Sequence, residues 1–176
     1  MQVGFKFKKV FINLFATLLC FAHFNAYAQP ITGAFGLKLG EVIPNWPQGK
    51  EEGELSDFKD DFFDRVEFDV LPYSKRIHRI EVDKFVKTNC GSDRIRNALI
   101  SSLREKYSEY ETVIPKILRR VWKFEAKHGD RIINLTCMAY QGKWTLTVSY
   151  IDSSLQDIIE QEKLLLDKKK IDSSKL

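Results

Sequence analysis

Histidine, cysteine and methionine are all scarce in this 176-residue chain, at three, three and two residues. Each scarcity removes a class of chemistry. With histidines only at 23, 78 and 128, no H-E-x-x-H helix exists to hold zinc, and the G-x-S-x-G elbow of a serine hydrolase is also missing. The cysteines at 20, 90 and 137 form no C-x-x-C pair, the usual arrangement of a redox dithiol. Asp57, Asp60, Asp61 and Asp64 lack the glycine and terminal glutamate of an EF-hand loop. From these patterns no cofactor and no metal is expected.

Long apolar runs are missing too, except at the start. Val10 to Phe24 is an apolar stretch of 15 residues, shorter than the roughly 20 that span a bilayer, and it follows Lys6, Lys8 and Lys9 with no acid nearby. Ala26-Tyr27-Ala28 then places small residues where a signal peptidase needs them, ahead of Gln29-Pro30. Residues 1–28 therefore read as a cleavable secretory signal, and the address is the periplasm or the medium. Cys20 follows Leu19, whereas a lipid-modified cysteine requires a small residue before it. Without those 28 residues, 148 remain, enough for one domain with its own core. That domain is expected over 29–167, with a polar tail over 168–176.

Excess charge is likewise lacking once the signal is set aside. Losing three lysines and no acid takes the formal net charge from +4 to +1. A near-neutral chain with interspersed signs has no concentrated basic surface for phosphates, so nucleic acid is discounted as a partner. No later apolar stretch is long enough for a membrane span. Cys90 and Cys137 form an even pair in a chain addressed to an oxidising compartment, and a disulfide between them is expected. Closing a loop of about 47 residues would stabilise the fold by roughly 4 kcal/mol in the chain-entropy model.

What is present is alternation. Phe35, Leu37 and Leu39 suggest a first strand, and Val66, Phe68 and Val70 pair with Ile80 and Val82 through a Leu71-to-Ser74 turn as a hairpin. Arg119 to Lys127, Arg131 to Tyr140 and Lys143 to Ile151 read as a meander turned at His128-Gly129-Asp130 and Gln141-Gly142. Two helical stripes interrupt the strands: Ile95, Ala98, Leu99, Leu103 and Tyr107, after a cap at Ser92, and Leu155, Ile158, Ile159, Glu162, Leu165 and Leu166, after Asp152 or Ser153. The first is expected to run from Asp93 to about Glu109. Residues 45–60 have no sustained period and read as a long loop. The fold class is α+β, a largely antiparallel sheet of five to six strands with two amphipathic helices packed on one face.

Ala34-Phe35-Gly36-Leu37-Lys38-Leu39-Gly40, Phe68-Asp69-Val70-Leu71-Pro72 with Ile77 and Ile80, and Cys90 with Leu99, Leu103 and Lys106-Tyr107 resemble landmarks of small exported proteobacterial proteins of unknown function. The resemblance covers about residues 33–110. It implies export and carries no assigned activity.

Candidate contact residues are few. Trp46 and Tyr73 fall in a loop and a turn, where an exposed ring contacts partners more often than it fills a core. Asp57, Asp60, Asp61 and Asp64 would share one face of a short helix, with Phe58, Phe62 and Phe63 between them. Their function would be to attract a cation or a basic partner, or simply to meet water. His78 reads as a strand-surface histidine and His128 as a turn residue. Three functions follow: a non-enzymatic binding or accessory module holding another envelope or secreted protein, or a small ligand; a small envelope hydrolase using Asp60, Asp61 and Asp64; and a structural homodimer joined through the helices.

Overall fold

Apolar residues at every second position demand a surface to face, and in the computed structural model, which describes residues 29–86, 93–112, 124–140 and 143–173, they find it across six paired strands. The elements in chain order are β1 (Gly33–Ala34), β2 (Leu37–Lys38), β3 (Glu52–Glu54), β4 (Arg65–Val70), β5 (Ile77–Val86), α1 (Asp93–Tyr107), a 3-10 turn (Ser108–Tyr110), β6 (Phe124–His128), β7 (Arg131–Tyr140), β8 (Lys143–Asp152), α2 (Ser153–Gln156) and α3 (Ile159–Ser173). The sheet order is β3-β4-β5-β8-β7-β6, antiparallel throughout, with β1 and β2 as a separate small hairpin. The α+β class, the hairpin and the meander are as the sequence predicts. Residues 1–28, Cys90, Ser92, Pro115, Trp122 and the Gln141-Gly142 turn lie outside the described residues.

Register turns the alternation into a continuous core. Phe68, Ile80, Tyr150, Ile133 and Ala126 stand in one row across five strands, and Val66, Val82, Val148, Leu135 and Phe124 in the next. All ten are buried. From above this face, α1 contributes Leu99, Leu103 and Tyr107, spaced four apart on one stripe. Its last turn passes into the 3-10 turn, after which the Thr112 N–H donates to the Glu125 carbonyl at 2.8 Å and covers the outer edge of β6.

The opposite sheet face is polar, with Glu54, Glu67, Glu81, Ser149, Asn134 and Glu125 in one row. Arg65 reaches from β4 to the buried Asp83 of β5 at 2.6 Å, and the Thr147 hydroxyl donates to the same carboxylate at 2.6 Å. Arg79 pairs with Asp69 at 2.6 Å.

Three local expectations are corrected. The long loop over 45–60 contains β3, whose Glu-Gly-Glu carries no strand signal. It pairs because Gly53 leaves room: a Cβ there would overlap the rings of Phe68 and Trp46. The second helix is broken at Asp157 and Ile158, and Asp152 does not cap it through its side chain. The Asp152 carboxylate instead accepts the Ser154 hydroxyl and faces Arg131 at 3.6 Å. α3 also continues to Ser173, through the segment expected to be a polar tail from Lys168. Its inward positions are Glu162 and Leu166, while Leu165 is 51% exposed.

α3 is held at the turn between β4 and β5. The Glu162 carboxylate accepts the N–H groups of Tyr73 and Ser74 at 3.0 and 2.9 Å, and Lys163 pairs with Glu51 at 3.2 Å. Nearby, the pairing shifts between Asp69 and Val70, leaving His78 as the extra residue of a bulge and burying it beside Ile77.

Candidate functional site

An apolar face longer than the elements covering it leaves a gap, and one opens between α1 and the sheet. The cavity, of about 420 Å³, is floored by Val82 of β5 and by Val148 and Tyr150 of β8. Two stripes of α1 roof it. Leu99, Leu103 and Tyr107 are buried, and Ala98, Ser102 and Lys106, one step around the helix, are exposed at the rim. Phe35, Phe62 and Phe63 close the remaining side.

That aromatic wall is built by backbone geometry. Phe35 sits at the tip of the β1–β2 hairpin with φ of 50°, and its ring meets Phe58 at 4.9 Å and Phe63 at 5.8 Å, both edge-on. The Asp60 carboxylate accepts the N–H groups of Phe62 and Phe63, each at 2.8 Å. These two bonds, Phe63 first, hold the Asp60 carboxyl below its ordinary range. Asp64 accepts the Phe85 N–H at 2.6 Å and meets Lys84 at 3.1 Å. The expected helix over the acidic segment does not form, because the N–H groups of Phe62 and Phe63 go to a side chain instead of to helical carbonyls. Two of its four acids hold the phenylalanines in place.

Polar chemistry inside the cavity is confined to two phenols. Burial pushes the Tyr150 hydroxyl well above its ordinary range, and the neighbouring Tyr107 hydroxyl, hydrogen-bonded to it, adds to the effect. The Tyr150 phenol therefore stays protonated near neutrality. Among the described residues, no histidine, cysteine or carboxylate lines the cavity. The arrangement can bury an apolar molecule, and it places no base beside a nucleophile.

The residues singled out from the sequence stand elsewhere. Trp46 is half-buried, its ring 5.2 Å from Phe68 and its indole N–H donating to the Lys50 carbonyl at 2.7 Å. Lys50 folds over the same ring at 4.9 Å. Tyr73 is 46% exposed on the β4–β5 turn. Neither lines the cavity. Cys137 is buried on β7 opposite Leu146, and its expected partner Cys90 lies outside the described residues. His128 stacks on Tyr110 with ring centroids 4.5 Å apart. His78 is buried with no partner for Nδ1, and burial, aided by Arg79, holds it below its ordinary range. The described residues contain no group of three or more metal-ligating side chains.

A second hollow, of about 360 Å³, lies on the polar sheet face among Glu52, Glu54, Glu67, Asp69, Arg79 and Glu81. Burial raises the carboxyls of Glu67 and Asp69 above their ordinary range. Sequence reasoning passed over both hollows. The available signal for the first was Ala98 and Ser102 beside the helical stripe: small residues next to a core face leave space above it. Comparison with known proteins finds no matching family model, curated protein or solved structure. The described residues also contain no helix long and apolar enough to cross a membrane.

Proposed function

We propose that this chain is an exported, non-enzymatic binding protein whose cavity beneath α1 holds a small apolar molecule. The observation that carries the reading is the cavity itself. Its volume of about 420 Å³ falls in the range of small-molecule sites, and its walls are aromatic and aliphatic with two phenols as the inner polar groups. Export is supported by the lysines, apolar run and Ala26-Tyr27-Ala28 of the first 28 residues. A Cys90–Cys137 disulfide fits that compartment, and its support is the buried, bonded sulfur of Cys137.

The test uses protein beginning at Gln29 and a neutral fluorophore that brightens in apolar surroundings, N-phenyl-1-naphthylamine. Saturable binding is expected, weakened at least tenfold by Ala98→Trp, which places a large ring over the mouth from an exposed helix position. Undiminished binding by that variant, or no binding by the parent, refutes the reading. Mass spectrometry of the periplasmic product tests export separately, with Gln29 as the expected first residue.

A second reading, a homodimer, draws on Leu164, Leu165 and Ile171, which are 69%, 51% and 53% exposed on α3. Light scattering that gives the monomer mass at all accessible concentrations removes it.

A further inference from the structure

The rim of the cavity differs in kind from its interior, and the difference specifies a ligand. Leu99 and Leu103 face inward, whereas Ser102 and Lys106 line the same cavity from exposed positions one step around α1. The Lys106 ammonium stands 5.1 Å above the Tyr107 ring, so its stem lies along apolar surface while its charge reaches water. Among the described residues Lys106 makes no ion pair. Inside, the two phenols are bonded to each other, and nothing there could balance a charge. A buried anion would pay its full desolvation cost at the floor, but at the mouth it would keep its water and gain Lys106.

Two of the four carboxylates of the neighbouring segment are engaged by donors of their own. Asp60 is turned to the N–H groups of Phe62 and Phe63, and Asp64 to Lys84 and the Phe85 N–H.

We propose that the occupant is a single-chain amphiphile with an anionic head, its alkyl tail against Val82, Leu103 and Val148 and its head at Ser102 and Lys106. This rests on the binding reading above and adds the orientation and the sign of the ligand.

The experiment displaces the fluorophore with three ligands of equal chain length: decanoate, decanol and decyltrimethylammonium. Decanoate is expected to bind more tightly than the cation, and 0.5 M salt is expected to weaken decanoate alone. Lys106→Met should lower the decanoate-to-decanol affinity ratio about two- to fivefold, the scale of one exposed ion pair, and Lys106→Glu should lower it further. A decyl sulfate arm tells whether the head must be a carboxylate: equal sensitivity to Lys106→Met supports recognition of negative charge in general, and sensitivity of decanoate alone supports a free alkanoate. If decanol displaces the fluorophore but the Lys106 variants leave the ratio unchanged, the head-group assignment falls and the cavity remains a binding site. If no alkyl ligand displaces it, the amphiphile proposal falls whole, while the binding reading stands or falls on the fluorophore and Ala98→Trp alone.

Discussion

Removing the carboxylate of Glu162 should detach α3 from the sheet. Glu162 is almost fully buried and accepts two backbone N–H groups, from Tyr73 and Ser74, at 3.0 and 2.9 Å. Hydrogen bonds to a charged acceptor contribute about 1.5–3 kcal/mol each, so the pair could contribute about 3–6 kcal/mol. Both bonds lie near the surface, where water can replace part of the loss. Glu162→Ala is therefore expected to cost about 2–4 kcal/mol, which in a domain of this size lowers Tm by about 5–15 °C. Glu162→Gln keeps one acceptor oxygen without the charge and should lose roughly half as much.

Urea denaturation of protein beginning at Gln29 measures the loss, and hydrogen exchange locates it. The Tyr73 and Ser74 amides should exchange faster in Glu162→Ala while those of Val82 and Leu135 hold their order relative to the global opening. Glu160→Gln, which removes only an exposed contact to Lys163 at 4.0 Å, is the control and should leave stability unchanged. A Glu162→Ala variant within 0.5 kcal/mol of the parent would show that the two N–H groups are satisfied equally well by water, and that α3 is held by something else.

The pH dependence should centre on His78. Its folded pKa lies below the ordinary 6.5, so the unfolded chain takes up a proton first: stability is full above about pH 6.5 and declines as pH falls toward the lowered folded value. Melting curves at pH 7.5 and 5.5 should differ for the parent and converge for His78→Gln. Glu67 and Asp69, raised by burial, act in the opposite sense at more acid pH, just above their ordinary 4.5 and 3.8, where stability gains as pH falls. On the polar sheet face, Asp83→Ala strands the Thr147 hydroxyl and leaves Arg65 with Glu67 alone, at an expected cost of about 2–4 kcal/mol; adding Thr147→Val should recover part of it in a double-mutant cycle. Gly53→Ala drives a methyl into the rings of Trp46 and Phe68, and should cost about 1–3 kcal/mol with a shift in tryptophan fluorescence. A Gly53→Ala protein as stable as the parent would mean that Trp46 moves aside freely.

Much of the architecture was legible because it depends on period alone. The alternation of Val66, Phe68 and Val70 with Ile80 and Val82, and of Trp144, Leu146, Val148 and Tyr150, can be satisfied only by strands with one buried face, and Leu99, Leu103 and Tyr107 only by a helix lying on it. Where a residue's role depends on a distant neighbour, the sequence was silent. Glu-Gly-Glu becomes β3 because the Trp46 and Phe68 rings need the space that Gly53 vacates. Asp60 and Asp64 look like one face of a helix until their oxygens are found on the N–H groups of Phe62, Phe63 and Phe85. Trp46, placed in a loop where a ring is free to be exposed, packs on Phe68 instead.

The candidate site belongs to the same second category. Local pattern determined that α1 would have an apolar stripe and that β5 and β8 would have apolar faces, since each follows from spacings within one segment. Whether stripe and faces would meet tightly or leave a cavity depends on the distance between them. That distance is set by Phe35 from the first hairpin, by Phe62 and Phe63 from a loop nearly thirty residues on, and by how far Leu99, Leu103 and Tyr107 reach from α1. A gap is a property of several segments at once, and only the tertiary structure brings them together.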